Sequence, residues 1–344
     1  MKQRRRSGLS TSGWLVAACF SVAAFSAGCT NTINTPPPVQ TPTDDGGTAD
    51  GGVLGSGALT TSTVVANNEA AFGLPFDSAP SPDGARIYFT GVKVDGDLTG
   101  PAIFSTNAAA ASTPTALAVA GSLGAPLGVA VSSDGATVYA ADPAFATASD
   151  KGAILSVPAA GGTPTALAET ADYAPRAIAV AKVGTSDTIY FIGDDKADGV
   201  PGIFKDVAGA VTSVLKPIDA AAVAAHTDGT VYFIDAAGSV QKIAAGSTAA
   251  AAVGGASSGL DINYPAGIAV SQDGKFLLVP VTDAATGHQG IARIDASSGA
   301  VTQLPLSLPA TNREAGGLHR AANADVYSFV DTGAGASGTV YLLQ

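Results

Sequence analysis

The sequence predicts an all-β chain folded as a six-bladed β-propeller of four-stranded antiparallel blades. Two observations carry this. From residue 58 onward, a pair of β-rich segments joined by an Asp-Gly or polar turn recurs six times, and two further short strands follow. The acidic residues also belong to a turn-rich chain: of 28, only Glu69, Glu169 and Glu314 are glutamate. Aspartate bonds nearby backbone N–H groups and favours turns, whereas glutamate favours helices. Helix is expected to be almost absent.

Five copies of the two-strand motif are clear: PFDSAPSPDGARIYFTG (75–91), PLGVAVSSDGATVYAAD (126–142), PRAIAVAKVGTSDTIYFIGD (175–194), DAAAVAAHTDGTVYFID (219–235) and PAGIAVSQDGKFLLVPVTD (265–283). A sixth, EAGGLHRAANADVYSFVD (314–331), is degenerate. The markers Tyr88, Tyr139, Tyr190, Tyr232, Leu278 and Tyr327 recur every 42 to 51 residues. Third strands follow at 102–106, 153–157, 202–206, 239–243, 291–295 and 339–343, and fourth strands at 115–119, 165–169, 211–215, 250–254 and 301–305. Four short strands at this period read as propeller blades rather than helical repeats. A Gly/Ala-rich sandwich is the competing architecture, but it has no reason to restart its motif six times. The sixth copy ends at its third strand. TSTVVA (61–66) resembles a fourth strand, and is expected to complete the last blade and remove the open edges.

Composition excludes other classes. The 344 residues include 42 Gly and 20 Pro, and 13% are charged against a usual ~25%. With 46% hydrophobic residues, disorder through excess charge is excluded for most of the chain. Lys2, Arg4, Arg5 and Arg6 are the only charges before residue 29, so the net charge of -11 understates how acidic the rest is. Such a surface repels phosphate backbones, and no nucleic-acid partner is expected. The two cysteines, Cys19 and Cys29, both lie in the leader, so no disulfide or cysteine-ligated zinc can form beyond them.

Residues 1–28 combine a basic start with an apolar run, Trp14 to Gly28, that suits a signal peptide and is too short to span a ~30 Å hydrocarbon core. Ser26-Ala27-Gly28-Cys29 resembles the lipobox of bacterial lipoproteins, with Ser26 where that pattern prefers a branched aliphatic residue. The resemblance implies that Cys29 is acylated and anchors the chain to a cell-envelope membrane. An ordinary signal peptide or an uncleaved anchor remains the alternative. Residues 29–57, rich in Pro, Thr, Gly and Asp, read as a disordered tether, and 58–344 as the propeller.

Ser81-Pro82-Asp83-Gly84-Ala85-Arg86-Ile87-Tyr88-Phe89 resembles the SPDG-type turn of TolB-like six-bladed propellers, and VPAAGGTPTAL (157–167) their third-to-fourth-strand turn. The resemblance covers residues 58–344 and implies a fold more than a function. The domain has no tryptophan and no WD pair, which sets it apart from WD40 propellers.

Chemistry is harder to find. Gly255-Ala256-Ser257-Ser258-Gly259 matches G-x-S-x-G, but joins two strands instead of a strand and a helix, so no nucleophile elbow is expected. His226 takes the serine place of its turn and reads as an exposed turn residue, His288 lies in a loop, and His319 lies on an innermost strand as a satisfied buried histidine. Asp95 with Asp97, and Asp194 with Asp198, have the oxygen chemistry calcium prefers, although solvated turns are the favoured reading. Where the innermost strands begin, around the channel mouth, the sequence places Asp77, Arg176, Asp219, Arg313 and Glu314, able to hold a small polar ligand or to form a solvated rim. Propeller lactonases resemble this architecture, and that likeness implies a channel calcium on Asp77, Asp219 and Glu314. The leading expectation is a monomeric, membrane-anchored binding module without a cofactor, acting on an envelope protein or glycan. A calcium-dependent hydrolase is the alternative.

Overall fold

The computed structural model describes residues 59–67, 71–95, 97–146, 151–253, 260–262, 267–283, 289–306, 308, 315–332 and 338–344. The leader, Cys29 and the tether lie outside them, as do residues 255–259, His288, Arg313 and Glu314.

Six antiparallel sheets follow one another along the chain. Blade 1 is Phe72–Pro80, Arg86–Asp95, Asp97–Asn107 and Thr115–Val119. Blade 2 is Gly128–Val131, Thr137–Ala146, Lys151–Pro158 and Thr165–Ala166. Blade 3 is Ala177–Val183, Ser186–Asp195, Val200–Val207 and Ala210–Leu215. Blade 4 is Ala220–Ala225, Val231–Asp235, Val240–Ile243 and Ala250–Ala252. In blade 5 two short segments, Leu260–Ile262 and Ala269–Val270, share the innermost edge of Phe276–Asp283, with Gln289–Asp295 and Val301–Gln303 outside. Blade 6 runs Ala315–Arg320, Tyr327–Asp331 and Thr339–Leu343. Its outer strand is Ser62–Ala66, in register Ser62 to Leu343 and Val64 to Tyr341, so the N-terminal segment closes the ring as the sequence predicts. The innermost strands touch in a closed cycle around a central channel.

The core is six wedges, one between each pair of blades. Tyr88 and Ile103 of blade 1 pack on Val138, Ala140 and Leu155 of blade 2. Ala141 and Ile154 of blade 2 meet Phe191 and Phe204 of blade 3. The wedge between blades 6 and 1 holds Val330 and Val340 against Phe89 and Phe104, whose rings stack at 4.9 Å. Each side chain of this size contributes roughly 1.5–3 kcal/mol when taken out of water. The period-2 alternation therefore works differently from a one-sided sheet: both faces of each blade are apolar because each meets a neighbour.

Two details depart from the sequence reading. The fourth strand of blade 2 stops at Ala166, and Ala168–Thr170 forms a 3₁₀ turn. There the Thr170 hydroxyl accepts the Ile154 N–H at 2.9 Å and donates to the Leu167 carbonyl, which ends the ladder. Tyr327 is also not the equivalent of Tyr88. Ala321 N–H bonds the Val326 carbonyl as Ser81 N–H bonds that of Arg86, so Ser328 matches Tyr88 and Tyr327 matches Ile87. One residue of slip reverses the face: Tyr327 packs with Leu278 and Ile291 of blade 5, whereas Tyr88 faces forward into blade 2.

Candidate functional site

The turns between the first and second strands set one rim of the channel. In Ser81-Pro82-Asp83-Gly84 the serine hydroxyl donates to Asp83 at 2.6 Å and accepts the Arg86 N–H at 2.9 Å, and Gly84 takes φ +72°. Ser132 with Asp134 and Ser271 with Asp273 repeat the arrangement. In blade 4, His226 stands in for the serine, with Nδ1 3.0 Å from Asp228. It is not an exposed turn residue: its side chain is 15% exposed, and Nε2 lies 3.1 Å from the Gln272 carbonyl of blade 5. The imidazole is longer than a serine hydroxyl and reaches the next blade.

The innermost strands also repeat position by position. Ala79, Ala130, Ala179, Ala224 and Ala269 occupy one matched position, opposite Tyr88, Tyr139, Tyr190, Tyr232 and Leu278. The sixth place is His319, opposite Ser328. A large residue replaces alanine where a small one replaces tyrosine, so the volume is conserved and the ring survives. Two residues earlier the matched places read Asp77, Gly128, Ala177, Ala222, Gly267 and Gly317.

Asp77 and His319 are thus the exceptions in two rings of small residues, and they meet. His319 Nε2 donates to Asp77 Oδ2 at 3.1 Å. The same oxygen accepts the Val129 N–H of blade 2 at 2.8 Å, and Oδ1 accepts the Ser78 N–H at 2.8 Å. A Cβ on Gly317 would sit 1.4 Å from Asp77 Oδ1, so glycine there makes the space the carboxylate fills. The Asp77 side chain is 9% exposed and that of His319 15%. One carboxylate joins blades 6, 1 and 2, and fixes an imidazole at the channel wall. Among the described residues nothing bonds its Nδ1.

Two chambers meet at His319 and Ile268. The loop-face chamber, about 320 Å³, lies where the innermost strands begin and is lined by Phe76, Asp77, Leu127, Arg176, Ile178 and Gly317 among others. The turn-face chamber, about 420 Å³, is ringed by Ser133, Lys182, Thr227 and Gln272, each three residues beyond the matched alanine. Arg320 enters it from blade 6; burial draws its guanidinium below the ordinary range, partly offset by Tyr327 and Asp325 nearby.

The expected mouth residues divide. Arg176 reaches Asp194 at 2.9 Å and Asp219 at 3.3 Å, tying blade 3 to the start of blade 4. Asp77 lies deeper and bonds neither Arg176 nor Asp219, while Arg313 and Glu314 lie outside the described residues. Of the acidic loops, Asp194 is taken by Arg176, while Asp195 and Asp198 hold Lys216 at 2.6 and 2.7 Å. A lysine ammonium already supplies the cation that the loop was expected to take from solution. Asp95, 78% exposed, has Lys93 at 3.9 Å, and Asp97 pairs with it through the backbone. A channel calcium fits the described carboxylates poorly: Asp77 accepts three N–H donors and Asp219 faces a guanidinium. Among the described residues no three His, Cys, Asp or Glu side chains form a metal-holding group. The Asp77–His319 contact, Gly317, Arg320 and Lys182 were not read from the sequence. Aligning the six copies residue by residue exposes the Asp77–His319 contact and Arg320, because Asp77, His319 and Arg320 each break a column of small or apolar residues.

Fold and channel together define a six-bladed β-propeller with a bipartite central cavity. No family model matches the chain and no curated protein matches it in sequence. Its fold is similar to TolB from Acinetobacter baumannii (13% identity, 67% of this chain and 54% of that one, TM-score 0.51). It is also similar to luciferin-regenerating enzyme (12%, 82% and 94%, TM-score 0.55) and to an oligogalacturonate lyase in complex with manganese (11%, 83% and 98%, TM-score 0.51). The chain spans about half the length of TolB.

Proposed function

We propose that this chain is a cell-envelope binding propeller that engages a protein or glycan at the loop-face mouth of its channel, and that Cys29 tethers it to the membrane by lipid. The observation that supports binding over calcium-dependent hydrolysis is the commitment of the carboxylates. Asp77 is held by His319 and two backbone amides, and Asp219 and Asp194 by Arg176. What remains around the loop-face chamber among the described residues is largely apolar wall with one guanidinium, a surface for contact rather than for activating water. His319 has the oriented imidazole that general-base chemistry needs, but no serine or threonine hydroxyl is hydrogen-bonded to it among the described residues.

Turnover assays on lactones and phosphoesters, with and without millimolar calcium, test the reading. We expect no hydrolysis above background. Calcium-dependent turnover lost in Asp219→Ala would establish the hydrolase instead. For the anchor, membrane fractionation of Cys29→Ala is expected to release the chain or leave it unprocessed, because one lipid-bearing residue is the whole attachment. Among the described residues no helix is long and apolar enough to cross a membrane. Lipid-labelled, membrane-bound Cys29→Ala would refute the anchor.

A further inference from the structure

We propose that the turn-face chamber binds a small anion, an inorganic phosphate or a compact dicarboxylate, between Lys182 and Arg320. The proposal goes beyond the binding at the loop-face mouth, since it concerns the opposite end of the channel and stands without it. In a chain with 28 acidic and 17 basic residues, no acidic side chain among the described residues lines this chamber. Lys182, His319 and Arg320 do. Lys182 belongs to blade 3 and Arg320 to blade 6, so the two charges enter from opposite sides of the ring.

Arg320 is oriented by neutral acceptors, and Asp325 acts on it only from beyond ion-pair distance. Its Nε donates to the Val270 carbonyl at 3.0 Å, and Nη1 to the carbonyls of Ala321 at 2.6 Å and Ala322 at 3.3 Å. These neutral acceptors fix the guanidinium plane without cancelling its charge. Among the described residues no carboxylate lies within ion-pair distance, and Nη2 has no acceptor. A half-buried, pre-aligned guanidinium whose two Nη2 N–H groups are free suits the oxygens of a small anion, and a charge removed from water gains most from a counter-charge. Thr227 and Gln272 add neutral donors on the rim. The fold does not require the arginine: the matched positions hold Pro80, Val131, Val180, Ala225 and Val270. Five of six blades build the same strand with an apolar residue there.

Calorimetric titration of the full chain at low ionic strength, with sodium phosphate and separately with malonate, tests the site; glucose is the neutral control. We expect one saturable site for at least one anion and none for glucose. Lys182→Ala, at an exposed position, should weaken it about fivefold, and Arg320→Lys, which keeps charge but loses the aligned Nη2 donors, about tenfold. Lys242→Ala, on an outer strand of blade 4, should leave it unchanged. A thermal melt of each variant shows that it is folded, and Lys182→Ala decides the matter if Arg320→Lys is not. Absence of saturable binding of either anion up to about 10 mM would overturn the proposal, since such a site would lie weaker than roughly 3 kcal/mol. So would binding that every folded variant keeps undiminished.

Discussion

At the scale of single residues, the channel rests on one carboxylate. Asp77 accepts the Val129 N–H and the His319 imidazole from two other blades and the Ser78 N–H beside it, so truncating it strands three donors at once. We expect Asp77→Ala to cost about 2–3 kcal/mol in chemical denaturation, the usual penalty for buried unsatisfied groups. Gly317→Ala should cost at least as much, because its Cβ would lie 1.4 Å from Asp77 Oδ1. In the Asp77→Ala background the nearest clash retreats to the residue 77 Cβ at 3.0 Å, so the second substitution should be markedly cheaper there. A double-mutant cycle reads this directly; additive costs would mean that the two residues do not share the space. None of this was legible from residue types alone. Asp77 was marked for its charge and His319 as a buried histidine, but their pairing depends on ring closure, which brings residues 242 positions apart into contact.

At the scale of elements, the turns and the closing strand were the most legible features. A Ser-x-Asp-Gly turn is built from local bonds: a hydroxyl, a carboxylate and a glycine at positive φ within a few residues. Sequence spacing therefore suffices to find it. The Ser81 hydroxyl and Ala85 amide hold Asp83 below the usual carboxylate range, and Ser132 and Ala136 do the same for Asp134. A carboxylate whose folded pKa is depressed adds stability that is present above its unfolded pKa of about 3.9 and lost as pH falls through the lowered folded value. We expect the melting temperature to fall between about pH 5 and 3, and to fall less steeply in Asp83→Asn/Asp134→Asn. Asp206 runs the other way, raised by burial and by Glu169, and so opposes stability as pH rises through its folded value. The closing strand carries its own test. Removing residues 58–66 takes away Val65, Ala66 and Leu59, all buried, and bares the edge of Thr339–Leu343. Loss of several kcal/mol and aggregation are expected; unchanged thermal stability would show that closure does not matter. What the repeats concealed was register. The sixth copy keeps a tyrosine one residue out of phase, and only the strand pairing shows that Tyr327 faces backward.

At the scale of the whole molecule, six wedges of apolar side chains hold a ring whose axis is left to function. The architecture was visible in the sequence because each blade repeats its pattern. The channel was not, because its chemistry resides in departures from that pattern: Asp77, His319 and Arg320 gather on blades 6 and 1, and Lys182 faces them from blade 3. The two ends of the channel differ in character. The loop face offers apolar wall and a paired Arg176, and the turn face is lined by Lys182 and Arg320 with no carboxylate among its described lining. The binding reading depends on the carboxylates being committed to protein partners rather than waiting for a metal. Melting temperature in EDTA against millimolar calcium measures that commitment most directly. A specific ion at a hundredfold excess over its Kd would add ~2.7 kcal/mol, or roughly 4–5 °C for a ring of this size. We expect less than about 1 °C of change. A rise of several degrees that disappears in Asp219→Ala would mean that a calcium site assembles at the channel mouth, and would contradict the binding-module reading.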